Sequence, residues 1–233
     1  MFDGKTVIVT GGAGVLGVAV VNWFTDRGAN VAVLDISDEV LANAWPEPNE
    51  RHCYLACDLT SRDSCAEAVG KIQRQFSGID VLCNIAGGFM MGEPVHNTDD
   101  QTWDFLFNLN ARSVMNMAAR VVPVFIAAGS GKIINVGAQA AAGGAALMGA
   151  YVASKSVVIR LTESMALELR EKGINVNCVM PSLIDTPRNR ADMPDADYTR
   201  WVTPDDIARV IGFLASDDAA VIHGAAVPVN GLS

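Results

Sequence analysis

Residues 5–17 read KTVIVTGGAGVLG. Lys5–Thr10 is a short run of β-branched side chains, which suits a buried, pleated strand. Gly11, Gly12, Gly14 and Gly17 then break the run, and an apolar-periodic segment follows to about Arg27. Glycines at such a junction leave backbone N–H groups open at the start of a helix, where a side chain would block an approaching phosphate. The turn alone is a weak signal, because a tight turn that binds nothing has the same composition. Its place after a first strand and before a helix is the context that points to a pyrophosphate site.

The rest of the chain repeats the alternation. Asn30–Asp35 (NVAVLD), His52–Asp58 (HCYLACD), Ile79–Cys83, Lys132–Val136 (KIINV), Ile174–Val179 and Ala226–Val229 read as further strands. Ser61–Phe76 has helical spacing, with Ala66, Val69, Ile72 and Phe76 on one side. Asp100–Ala128 is long enough for one helix, with Pro123 expected to kink it or fray its end. Tyr151–Lys172 reads as another, closed by Gly173. A polar, proline-bearing excursion over Pro181–Trp201 precedes a helix capped near Thr203-Pro204.

Near-continuous apolar strands separated by helices imply a parallel sheet covered on both faces. Right-handed crossovers gather the strands' C-terminal ends on one edge, and ligands of such folds sit there, where the strand order switches. No linker, repeat or second compositional regime interrupts residues 1–233. The expected architecture is one doubly wound α/β domain of the Rossmann type, with about seven strands. Residues 187–201 are expected to form a substrate lid within it.

Composition narrows the partners. At 50% hydrophobic and 18% charged the chain buries a sizeable core. A net charge of −9 argues against nucleic acid or an anionic membrane, since both need clustered Lys and Arg. Cys53, Cys57, Cys65, Cys83 and Cys178 form no CxxC pair and have apolar neighbours, so they read as reduced thiols packed as small hydrophobes. His52, His96 and His223 fall in no zinc-ligand spacing, and no metal is expected. No secretory signal is visible, and no uninterrupted apolar stretch reaches the ~18 residues of a membrane span. The expected setting is the cytoplasm.

Two polar features carry chemistry. Asp35 ends the second strand, where a carboxylate can accept from a ribose 2′-OH and repel a 2′-phosphate. Ile36 and Ser37 supply no Arg to neutralise that phosphate, so NAD(H) is expected over NADP(H). A turn or helix-capping role for Asp35 is the plainer alternative. Tyr151 and Lys155 stand one helical turn apart and share a face. A phenol with a pKa of about 10 is a poor base at neutral pH, and a neighbouring ammonium together with a cationic nicotinamide would lower it. Without context the pair is an ordinary exposed helical face.

Together these residues resemble the short-chain dehydrogenase/reductase family over essentially the whole chain. The family's glycine pattern corresponds to Thr10-Gly11-Gly12-Ala13-Gly14-Val15-Leu16-Gly17, and the aspartate it places against adenine resembles Asp58, followed by Leu59. Its Asn-x-Ala-Gly corresponds to Asn84-Ile85-Ala86-Gly87. The resemblance implies that Asn110 holds a water beside the catalytic lysine, that Tyr151 is the proton donor and Lys155 its partner. It further implies that Pro181, Ile184 and Thr186 meet the nicotinamide carboxamide. A homodimer or homotetramer acting on a small molecule is implied too, with the helices starting near Asp100 and Tyr151 packed across the interface.

Three departures stand out. Val15 replaces a glycine, Ser182 replaces the glycine after Pro181, and Ala138 stands thirteen residues before Tyr151, where the family keeps a catalytic serine. Losing one donor to developing negative charge costs ~3–4 kcal/mol, or roughly two to three decades in rate. Gln139 is the nearest polar candidate to replace it. Dihydropteridine reductase, a branch that works without this serine, is similar in Gly137-Ala138-x-Ala140-Ala141 and in Asp185-Thr186-Pro187-x-Asn189-Arg190-x-x-Met193-Pro194-x-Ala196-Asp197. Asn84 and Asn110 resemble the carbonyl-reducing members instead. Three functions follow: a reductase of a quinonoid or pterin-like acceptor, an alcohol dehydrogenase or carbonyl reductase, and a non-catalytic NAD-binding sensor. Arg188, Arg190 and Arg200 are candidates to meet an anionic or planar substrate.

Overall fold

The computed structural model describes residues 1–233. Seven strands, β1 (Thr6–Thr10), β2 (Asn30–Asp35), β3 (His52–Ala56), β4 (Val81–Asn84), β5 (Gly131–Val136), β6 (Ile174–Pro181) and β7 (Ala226–Val229), form one sheet in the order 3-2-1-4-5-6-7. All pairings are parallel; Ile8 of β1, for example, lies between Ala32 of β2 and Leu82 of β4. The order reverses direction between β1 and β4, which opens a crevice beyond their C-terminal ends.

Alternate side chains of each strand feed opposite faces. Val7, Val9, Val31 and Val33 pack with Val20 and Phe24 of α1 (Val15–Thr25) and Ile207 and Ile211 of α8 (Pro204–Ala215). Ile8, Leu34, Leu82 and Ile133 pack on the other face with Ile72 of α3 (Arg62–Gln75) and with Met117, Val121 and Phe125. On the first face α2 (Asp38–Ala44) adds Leu41, and on the second α6 (Gly149–Leu169) adds Ala166 and Leu169; α7 (Pro187–Asp192) follows β6 and buries no residue.

Two elements differ from expectation. The stretch expected as one plain helix is α4 (Asp100–Phe107), a π turn (Asn108–Arg112) and α5 (Ser113–Ala128), running on without a break. Pro123 lies inside α5 and neither ends nor frays it; Gly129, with φ +69, does. At 29 residues this helix is long and apolar enough to cross a bilayer by composition, yet Met117, Val121 and Phe125 are fully buried against the sheet. Helix α2 had no counterpart in the sequence reading. Ser37 caps it by accepting from Val40 N, with Asp38 and Glu39 in its first turn, a favourable N-terminal arrangement.

Candidate active site

The turn after β1 has no room for side chains. Gly11 has φ +64, and a Cβ there would come within 2.8 Å of the Ala86 Cα. A Cβ on Gly17 would overlap the Gly11 carbonyl oxygen, and one on Gly12 would overlap Val33. Gly14 is the N-cap of α1 and no side chain caps the helix. The first N–H groups of α1 are thus left for an outside acceptor, and the helix dipole favours an anion there. Leu16 packs on the core beneath the turn.

Three side chains fasten this turn. Asp35 accepts from Ala13 N at 3.0 Å and from Ile36 N at 2.8 Å. The Trp45 indole N–H donates to Gly12 O at 3.1 Å. The Thr10 hydroxyl oxygen accepts from Ile85 N at 3.1 Å and Ala86 N at 3.2 Å, joining the turn to the loop after β4. Asp35 is therefore part of the cradle, and the helix-capping alternative falls to Ser37.

Beside this cradle three elements meet at Gly87. Lys155 of α6 is buried, and its Nζ donates to Val136 O at the end of β5, at 2.8 Å. The π turn aims Asn110 at Gly88: its Oδ1 accepts from Gly88 N at 2.8 Å, and its Nδ2 donates to Gly88 O at 3.1 Å and to Ser154 Oγ at 2.9 Å. The Ser154 hydroxyl in turn donates to Tyr151 O at 2.7 Å. A Cβ on Gly87 would lie 2.9 Å from Lys155 Nζ and 3.0 Å from Asn110 Oδ1. Only a bare Cα lets both groups close on this point. Tyr151 stands one turn before Lys155, with its ring edge-on to Phe89 at 4.8 Å between centroids.

Burial dominates the electrostatics of both groups. It pushes Tyr151 up to about 12 and brings Lys155 down to about 8. Taking a charged form out of water is costly, so burial favours the neutral form of each group. Tyr151 is the neutral phenol near pH 7.

The remaining sequence candidates are placed less directly. Asp58 is exposed after β3 and accepts from Thr60 N and Thr60 Oγ1; Leu59 is buried and its carbonyl accepts from Asn116. The Asn84 amide is not turned to the crevice. It donates to Asn135 Oδ1 at 2.8 Å, and Asn135 donates to Thr162, a buried chain that ties β4, β5 and α6. Pro181 closes β6, Ile184 bridges to Val202, and Thr186 caps α7 by accepting from Asn189 N. Ala138 is a buried methyl just past β5.

The run from Asp185 to Asp197 is wired to itself. Arg190 donates twice to Asp185, at 2.6 and 2.7 Å, and covers the Tyr198 ring. The Tyr198 hydroxyl donates to Pro194 O, and Asp197 accepts from Thr199. Of the arginines considered for substrate, Arg190 is taken by Asp185 and Arg200 donates to Leu232 O, while Arg188 faces Asp192 at 3.7 Å.

Residues 5–197 match the family described as short chain dehydrogenase. The chain is a short-chain dehydrogenase. As a member of that family it is an oxidoreductase. Among relatives, the 3-oxoacyl-[acyl-carrier-protein] reductase FabG of Thermotoga maritima is 33% identical over 241 residues, covering 98% of this chain and 97% of the relative. Among solved structures, NAD+-bound xylitol dehydrogenase matches with a TM-score of 0.91 at 26% identity, over 99% of both chains. The 3-ketoacyl-(acyl-carrier-protein) reductase from Brucella melitensis complexed with NADH matches at 0.90 and 26%, over 98% of both. Within this short-chain dehydrogenase, three contributors to the site escaped the sequence reading. Trp45 fell in a stretch with no periodicity, and Phe89 in an apolar loop. Ser154 carried one signal, a serine three residues after Tyr151 on a helix, placed to donate back to the carbonyl of Tyr151.

Proposed function

We propose that this short-chain dehydrogenase moves hydride between NAD(H) and a small carbonyl compound, with Tyr151 passing the proton. The observation that carries the reading is the meeting of Lys155 and Asn110 over Gly87, with Tyr151 one turn away and the glycine turn alongside. The residues fit a dinucleotide: side chains are excluded from the turn, α1 is uncapped, and Asp35 stands at its edge. The turn from Gly11 to Gly17 would hold the pyrophosphate, Asp35 the adenosine ribose, and Asp58 and Leu59 the adenine. Lys155 would hold the nicotinamide ribose, with Pro181, Ile184 and Thr186 near the carboxamide. The NAD+ and NADH in the names of the two matched structures support the nucleotide, and Asp35 with no cation at Ile36 or Ser37 supports the form lacking a 2′-phosphate.

When bound, NADH supplies the hydride. As the carbonyl carbon gains that electron pair, its oxygen takes the Tyr151 proton, leaving an alcohol and an oxidised nicotinamide. The tyrosinate formed is stabilised by the Lys155 ammonium and regains its proton from water. Asn110 fixes the Gly88 backbone and, through Ser154, the start of α6, so that these groups stay aligned. A cytoplasmic homodimer or homotetramer is the form in which we expect it to work. Ala138 favours a second reading, in which a quinonoid ring of the dihydropterin type accepts the hydride and its nitrogen the proton, with less need of a hydroxyl donor.

Tyr151→Phe is expected to lower turnover of NADH by about a hundredfold or more while NADH still protects against thermal unfolding. NADH should outperform NADPH on the same acceptor. Turnover by the phenylalanine variant equal to that of the parent would overturn the assignment.

A further inference from the structure

Three loops border the place beyond the strands where Tyr151 stands, and together they offer a substrate almost no hydrogen bonds. From Ile85 to Gly92 the loop after β4 reads IAGGFMMG, without one polar side chain. From Gly137 to Met148 the loop after β5 reads GAQAAAGGAALM, with Gln139 alone. The loop after β6 has polar residues, but the structure uses them internally. Ser182 Oγ donates to Asn230 O at 2.8 Å, Asp185 is taken by Arg190, Thr186 caps α7, and Asn189 Nδ2 donates to Ile184 O at 2.8 Å.

The first two loops are also tied together. Gly92 N donates to Leu147 O at 2.9 Å, and Leu147 is the one non-glycine residue with positive φ, +62. A left-handed leucine costs energy and persists only where its surroundings hold it, a pattern found around binding sites. Between these loops and the start of α4 lies a cavity of about 100 Å3, with Met90, Met91, Leu147 and Met148 on its walls. Its polar members are Glu93, Thr98, Asp99 and Thr102, with no Lys or Arg; Thr98 donates to Pro94 O and Asp99 accepts from Thr102 N as the cap of α4, so most of them are already engaged. The volume is below the ~150 Å3 that takes up benzene, so it suits a short alkyl group.

We propose that the acceptor is an uncharged carbonyl compound of mostly hydrocarbon character, seated with its apolar part against Met90, Met91, Leu147 and Met148. The assignment rests on the hydride-transfer reading of the same site. On the wall made by Met90, Met91, Leu147 and Met148 a polyol would set hydroxyls against methyl and thioether groups, and each one left unpaired costs binding. An anion would face Glu93 and Asp99 with no cation to answer it. The methionines adapt to ring or chain.

The test is a substrate series with purified protein and NADH. Cyclohexanone, 4-methylcyclohexanone and 4-ethylcyclohexanone, with 1,4-benzoquinone as the quinonoid arm, are compared with xylulose, acetoacetyl thioester and quinonoid dihydropterin. Among the ketones kcat/KM is expected to rise about three- to fourfold per added methylene until the cavity is full. Met148→Gln should flatten that rise. Faster turnover of xylulose, the thioester or the dihydropterin, abolished by Tyr151→Phe, would overturn the substrate class and leave the hydride reading intact. NADH oxidation by no acceptor, or oxidation indifferent to Tyr151→Phe, would remove both.

Discussion

Ala138 is a buried methyl just past β5, and from there to Ala150 only Gln139 carries a polar side chain. If a ketone is the acceptor, its oxygen gains negative charge with the Tyr151 phenol as its principal donor. Ala138→Ser supplies a second donor, a type of interaction worth ~3–4 kcal/mol when well aligned. Turnover of cyclohexanone with NADH is therefore expected to rise about tenfold or more, read as kcat at saturating NADH. An unchanged kcat would move the assignment to a quinonoid acceptor, which disperses its own charge. At this scale the sequence singled out candidate residues but was a poor guide to their contacts. Asp35, Tyr151 and Lys155 stood out only through their context, since an aspartate at a strand end or a Tyr-Lys pair on a helix is ordinary by itself. Asn84 was placed toward the cofactor by resemblance, and its amide is spent on Asn135, a pairing across two strands that no local pattern encodes.

Among the elements, the loop after β4 and the π turn are set against each other. Gly87 has no side chain because Lys155 Nζ and Asn110 Oδ1 occupy the space, and both are ends of side chains that can yield. Gly87→Ala is thus expected to fold, with a melting temperature within about 3 °C of the parent, and to lose about tenfold or more in kcat as Lys155 is displaced. A variant with full kcat would show that the meeting over Gly87 is incidental. The strands were legible because a buried parallel strand is a continuous apolar run bounded by glycine or polar residues, as in KTVIVT and KIINV. The π turn was not, since its hydrogen bonds answer to Asn110 and Gly88, more than twenty positions apart. The run Asp185–Asp197 was read for kinship, yet nearly every polar residue in it is explained by a local cap or ion pair.

For the molecule as a whole, one buried ammonium links function to stability. Lys155 falls from 10.5 in the unfolded chain to about 8 in the folded one. Below pH 8 both states bind its proton and the folded state bears the full cost of the buried charge. Between pH 8 and 10.5 the unfolded chain holds the proton that the native one has shed, so stability rises with pH. The difference corresponds to about 3 kcal/mol. Denaturant unfolding of the parent and of Lys155→Met should therefore diverge: relative to the parent, the variant gains about 3 kcal/mol as pH is lowered from 10.5 to 7. A constant difference between the two would mean that Lys155 is uncharged throughout or never desolvated.

The wide turn at Asn108–Arg112 also acts as an angular spacer. A helix advances about 100° per residue, and a π turn accommodates one residue more than the regular spiral. Upstream of it the helix is phased for the loop over Tyr151; downstream, Met117, Val121 and Phe125 are phased for the sheet. Deleting a single residue here would swing the hydrocarbon stripe of α5 by about 100° away from its seat. The same rod can aim an amide at Gly88 and an oily edge at the core only because its pitch is interrupted between them.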